Sequence, residues 1–175
     1  MEFSILCNLW NFPSATQNIS GVKVILINYL PPCFSHFFLI SVGDSVENTS
    51  ITIKSAANDR YKLDGGGHQS DFFMFGVYGH FEATFMDLDV VNGYSSLGGA
   101  AFYVSGAGQL TLINVALSNH NSSHDGGAIY YDSVHHAGLI MNNSNFTDCV
   151  TTAQGGGAIY VGASTRNFYS RTIAF

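Results

Sequence analysis

Five carboxylates, Asp87, Asp89, Asp125, Asp132 and Asp148, lie between residues 85 and 150. Two carboxylates held at a set separation can cleave a glycosidic bond, one as acid and the other as base or nucleophile. Several acidic oxygens together can hold Ca²⁺ while an Arg or Lys abstracts a proton from an acidic sugar. Asp87 and Asp89 are two residues apart, which puts both on one face of a strand. No cation accompanies them, because none of the six Lys and Arg residues falls between Lys62 and Arg166. A site for uronate sugars would need such cations to hold the substrate carboxylates. Asp125 stands just before a glycine, where Asp ordinarily serves a turn. No catalytic residue is assigned.

His120 and His124 flank one loop, and the pair His135 and His136 follows. A metal needs three or four converging ligands with outer-shell support. These histidines have no such spacing and are read as exposed loop residues, with no metal and no cofactor expected. The glycine loops at 65–67 and 155–157 open no helix, so they do not cradle phosphate. The aromatic residues are more suggestive. Phe102, Tyr130 and Tyr160 occupy the same place after successive Gly-Gly-Ala triplets. If Ala101, Ile129 and Ile159 face inward, the aromatic row faces out as a platform for sugar faces or another protein. With the opposite parity the same row is core.

What positions these residues is an internal repeat. Gly-Gly-Ala occurs at Gly98-Gly99-Ala100, Gly126-Gly127-Ala128 and Gly156-Gly157-Ala158. Each triplet is followed by a short apolar strand and preceded by another that carries Asp87, Asn114 or Asn143 at a fixed offset. A looser copy runs from Ile51 through Leu63-Asp64-Gly65 to Phe75. No stretch has a helical period. Tandem units of this kind predict an all-β solenoid, a right-handed parallel β-helix of about four coils of 28–30 residues, with like positions stacked about 4.8 Å apart. The turn glycines Gly98, Gly99, Gly126, Gly127, Gly156 and Gly157 would supply positive φ at a repeated corner. Asp87, Asn114 and Asn143 would then form a structural ladder. Residues 1–49 are expected to be an irregular N-terminal cap or a degenerate first coil. Residues 50–175 would hold the repeats, cut short at the C-terminal end.

The strings GGAIYY at Gly126–Tyr131 and GGAIYV at Gly156–Val161 resemble the GGAI half of the polymorphic outer-membrane protein repeat. Its partner motif FxxN is degenerate here: Leu117-Ser-Asn-His120 and Phe146-Thr-Asp-Cys149 lack the final Asn. The segment from Ile51 to Phe75 is similar to the first coil of pectin-lyase-like β-helices. The resemblance spans roughly residues 50–165 and implies a surface-displayed adhesive role. Polygalacturonase signatures are absent, and Gly79-His80 alone does not make one. The alternative implied by the superfamily is a polysaccharide lyase or glycoside hydrolase, or an inactive relative.

Composition agrees with β structure: 46% of residues are hydrophobic, only 10% are charged, and there are 19 glycines, 14 phenylalanines and 9 tyrosines. That excludes a disordered chain. A net charge of -6 without a basic cluster argues against nucleic acid as a partner. Five Asn-x-Ser/Thr sequons, at Asn18, Asn48, Asn121, Asn142 and Asn145, favour a secretory route and an extracellular or cell-surface location, although no signal peptide is evident. Cys7, Cys33 and Cys149 are too widely spaced for a disulfide framework and are read as free thiols. Pro31-Pro32 splits the most apolar stretch, predicting strands Val22–Ile27 and Phe37–Val42 rather than a membrane helix. The expected role is a non-enzymatic secreted or surface module with polysaccharide or a cell-surface protein as partner, able to self-associate through its uncapped terminal coil.

Overall fold

The computed structural model describes the backbone of residues 2–6, 16–19, 22–27, 37–42, 49–55, 60–66, 75–77, 81–106, 108–133, 138–152, 155–162 and 167–174. All regular structure among them is β. The strands are β1 (Glu2–Leu6), β2 (Thr16–Ile19), β3 (Val22–Ile27), β4 (Phe37–Val42), β5 (Thr49–Lys54), β6 (Tyr61–Asp64), β7 (Phe75–Val77) and β8 (Phe81–Val91), followed by β9 (Tyr94–Ser95) and β10 (Phe102–Gly106). A second set of three is β11 (Gln109–Ser118), β12 (Asn121–Ser122) and β13 (Ile129–Ser133), and a third is β14 (Gly138–Thr147), β15 (Val150–Thr151) and β16 (Ile159–Val161). The last strand is β17 (Asn167–Ala174). No helix among the described residues is long and apolar enough to cross a membrane.

Each of the last three complete units contributes a long strand, a two-residue strand and a short strand. Each strand pairs in parallel with its counterpart in the next unit. The long strands form a sheet in the order β1-β5-β8-β11-β14-β17, with β6 also on β8; the other two parallel sheets are β9-β12-β15 and β10-β13-β16. Strands β3 and β4 have the bounds expected from the sequence and pair antiparallel. The proline turn between them lies outside the described residues, as do Cys7, Cys33, His135 and His136.

Alternation explains the long strands, and one residue type explains their break. In β11, Leu110 and Leu112 point inward, then Val115 and Leu117; the phase slips at Asn114. The same slip separates Ala83 and Phe85 from Leu88 and Val90, and Leu139 and Met141 from Ser144 and Phe146. The residues at the slip, Asp87, Asn114 and Asn143, have φ of 56°, 54° and 50°. Short Asp and Asn side chains tolerate this left-handed conformation better than other non-glycine residues. Asp87 and Asp89 therefore do not share a face by simple strand parity, because Asp87 is itself the bend.

The turn before each short strand needs glycine for a sharper reason. Gly99, Gly126 and Gly156 have φ of 56°, 73° and 57°, and Gly98 has φ of 120°. A Cβ on Gly126 would run into the carbonyl oxygen of Ile129. Gly127 lacks the positive φ expected of it; a Cβ there would lie 2.6 Å from the carbonyl oxygens of both Gly157 and Val150, so close approach is what excludes a side chain. Gly157 has neither requirement. Gly126→Ala should lower stability by about 1–3 kcal/mol from backbone strain alone, measured by urea denaturation. Gly157→Ala should leave the unfolding midpoint unchanged.

The pairing also corrects the register read from the triplets. Phe102 pairs with Ile129, and Tyr103 with Tyr130. Gly99 N–H donates to Gly126 O, and Ala101 N–H to Ala128 O. Gly98-Gly99-Ala100 is thus offset by one residue from Gly126-Gly127-Ala128. The cause is the core: Phe102 and Val104 are both 1% exposed and fill the inward positions of Ile129 and Tyr131, which a triplet-to-triplet register would turn outward.

Candidate functional site

Phe102 does not belong to an outward aromatic row. Its ring lies in the core against the Phe85 ring, edge to face, with centroids 4.7 Å apart. Tyr103 takes its place. Tyr103 and Tyr130 stack at 4.8 Å with planes 7° apart, and Tyr130 and Tyr160 stack at 5.0 Å with planes 15° apart. All three are half-buried. The parallel-strand spacing sets this distance. Stacking covers both faces of the Tyr130 ring, so that ring offers its rim rather than the open face a sugar would stack upon.

Two carboxylates flank the row. Asp132, half-buried, lies two residues after Tyr130 on the same strand face. Asp125 accepts a hydrogen bond from Gly155 N–H at 3.0 Å, and Gly155 in turn leaves room for the Tyr160 ring. Burial, then Tyr103, Asp132, Tyr160 and Asp125, hold the Tyr130 phenol above its ordinary value. It therefore remains a neutral hydroxyl at physiological pH, able to donate and accept. Tyr131, next in sequence, is a core residue: its hydroxyl donates to Gly108 O at 2.6 Å, and burial pushes it up to about 12.

On the long-strand sheet, Asp87, Asn114 and Asn143 form a hydrogen-bonded column. Asn114 Nδ2 donates to Asp87 Oδ1 at 2.7 Å and Asn143 Nδ2 to Asn114 Oδ1 at 3.3 Å. An ionised carboxylate only accepts, so Asp87 at one end orients every amide that follows. A second column escaped the sequence reading. Asn92 Nδ2 donates to Asp64 Oδ1 at 2.8 Å and Asn119 Nδ2 to Asn92 Oδ1 at 2.6 Å. Asn92, Asn119 and Asp148 have φ of 57°, 56° and 52°. Burial alone would raise the Asp64 carboxyl, but the Asn92 amide, Gly66 N–H and Lys62 outweigh it and hold it below its ordinary value. The signal was present as Val91-Asn92, Ser118-Asn119 and Thr147-Asp148, at the repeat spacing of the first column. A search for Asn three residues after Phe passes over it.

Arg60 was also missed, because it precedes the well-repeated stretch. Its Nε donates to Asp89 Oδ1 at 2.8 Å, Nη1 to Asn114 Oδ1 at 2.8 Å and Nη2 to Leu88 O at 3.0 Å. A cation and the carboxylates of Asp87 and Asp89 thus share one outer face. Every nitrogen of this guanidinium already has a partner within the chain.

His120 is fully buried rather than exposed in a loop. Its Nδ1 accepts from Gly93 N–H at 3.1 Å, which leaves the proton on Nε2 to donate to Val90 O at 2.9 Å. Burial lowers its pKa to about 4, with the Val90 carbonyl pulling the other way. The ring satisfies two backbone groups of the preceding unit, and a Cβ on Gly93 would lie 2.5 Å from Nδ1. His124 is exposed, with its carbonyl accepting from Ser122 Oγ at 2.8 Å. Cys149 is free and half-buried; burial raises its thiol above the ordinary value and Asp148 adds to the rise, while backbone hydrogen bonding at His120 and Thr147 lowers it. No three His, Cys, Asp or Glu side chains come together among the described residues.

Comparison with protein-family models, with curated proteins and with solved structures finds no match in any of the three. What stands on its own geometry, among the described residues, is all-β structure with three parallel sheets and a partly antiparallel fourth, carrying a tyrosine stack flanked by carboxylates.

Proposed function

We propose that the chain is a right-handed parallel β-helix, akin to the polymorphic outer-membrane protein repeat, serving as a non-enzymatic structural and adhesive module at the cell surface or outside the cell. The cyclic succession of long, two-residue and short strands, each paired with its counterpart in the next unit, supports the solenoid. The observation that carries the adhesive role is the stack of Tyr103, Tyr130 and Tyr160, with Asp125 and Asp132 beside it. Hydroxyl rims and carboxylates offer hydrogen bonds to the hydroxyls of a neutral glycan or to the polar rim of a surface protein. The sequons at Asn121 and Asn145 fall on exposed side chains, which favours a secreted setting.

Tyr130→Ala together with Tyr160→Ala should weaken polysaccharide or cell binding by about tenfold, or about 1.4 kcal/mol, while the chain stays folded. Binding unchanged in a folded double variant would remove the ladder from the contact surface.

The second reading is a polysaccharide lyase or glycoside hydrolase of the pectin-lyase-like class. The ion pair of Arg60 with Asp89, beside the Asn114 amide that bonds Asp87, favours it. Product release abolished by Arg60→Gln would establish that reading over the adhesive one.

A further inference from the structure

Asn92-Gly93 is the one Asn-Gly pair in the sequence, and the fold imposes both of its residues. Asn92 has φ of 57°, which a short amide side chain tolerates, and its amide links Asp64 to Asn119. Gly93 is required by close approach. A Cβ there would run into the Ala100 carbonyl oxygen and lie 2.5 Å from His120 Nδ1. Glycine leaves its own backbone nitrogen unshielded, so that nitrogen can attack the Asn92 amide carbon and close a cyclic imide, the usual route by which asparagine is lost. The folded chain engages every atom this reaction must move. Asn92 Nδ2 is tied to Asp64 Oδ1 at 2.8 Å, Asn92 Oδ1 accepts from Asn119 Nδ2 at 2.6 Å, and Gly93 N–H is turned onto His120 Nδ1 at 3.1 Å.

We infer that Asn92 is a latent deamidation site, closed by these three bonds in the folded chain and opened whenever this unit comes apart. In the first step Gly93 N bonds to Asn92 Cγ and the Cγ–Nδ2 bond breaks. The Gly93 proton leaves with Nδ2 as ammonia. Water then opens the imide at either carbonyl, giving aspartate or isoaspartate at position 92, with nothing oxidised or reduced. Neither product can restore the original bonds. Aspartate has no N–H to give Asp64 and sets a second carboxylate beside it. Isoaspartate adds a methylene to the backbone and shifts Gly93 N–H away from His120. A molecule that has once opened here is marked for good.

The test incubates the full chain in mildly alkaline buffer, folded or unfolded in urea, and follows each asparagine by peptide mass mapping and isoaspartate assay. In urea, Asn92 should convert first, ahead of Asn143, which is followed by Ser144. In the folded chain Asn92 should remain an amide over the same period. Asn119→Gly accepts the φ of 56° but removes the bond to Asn92 Oδ1, and should speed conversion in the folded chain about threefold to tenfold. Asp64→Ala frees Asn92 Nδ2 and should act in the same direction. Leu112→Ala weakens the buried core yet leaves all three bonds in place, so it separates local release from global unfolding. Compared at urea concentrations that unfold the same small fraction, it should convert more slowly than either variant. Folded Asn92 converting as fast as in urea, no lead of Asn92 over Asn143 in urea, or equal rates in the three variants would each overturn the proposal.

Discussion

Acidification from pH 7 to pH 4 is expected to remove about 3 kcal/mol of folding stability through His120, at about 1.36 kcal/mol per pKa unit. The folded pKa of about 4 lies below the ordinary 6.5, so the unfolded chain binds this proton first as pH falls. The contribution is therefore fully present above pH 6.5, declines between 6.5 and about 4, and levels off below. Asp64, held below its ordinary value of 3.8, adds its own loss only in more acid solution. His120→Phe should flatten the His120 window while lowering stability at pH 7. It leaves Gly93 N–H and Val90 O buried without a partner, each worth about 1–3 kcal/mol. Urea midpoints at pH 7, 5.5 and 4 for both proteins give the comparison. Identical slopes would mean that His120 is not buried neutral.

Asn114→Leu should cost about 3 kcal/mol, the sum of about 1–2 kcal/mol for a left-handed side chain and about 0.5–1.5 kcal/mol for each well-formed hydrogen bond lost. Asn114 gives up its bonds to Asp87, Asn143 and Arg60 at once. Asn114→Gly separates the two causes, because glycine accepts the φ of 54° but restores none of the bonds. Its loss should be about half that of the leucine variant. Neither substitution touches the tyrosine stack, so ligand binding per folded molecule should stay constant. Equal losses in the two variants would show that backbone strain plays no part.

The Gly-Gly-Ala spacing made the units legible before any coordinates, as did the recurrence of Asp87, Asn114 and Asn143. Both are backbone requirements that few residue types meet, so they leave a mark in the sequence. The register of Phe102 left none. Gly98 and Gly99 both have positive φ, and either could open the strand; only the need to bury Phe102 and Val104 decides. His120 was unreadable for a related reason: a histidine looks polar until a facing Gly93 opens a space and two backbone groups need its nitrogens. Arg60 reaches Asn114 across 54 residues, a distance at which no local pattern speaks. Tyr103 was hidden behind Phe102, since one residue of offset exchanges core for surface.

The most direct test of the adhesive reading is incubation of the folded chain with neutral and acidic polysaccharides, with and without Ca²⁺, scoring binding and released sugar ends together. The account predicts binding to a neutral glycan with no product, unaffected by Ca²⁺ and lost in the Tyr130→Ala, Tyr160→Ala double variant. Release of unsaturated or reducing ends, abolished by Arg60→Gln, would contradict it.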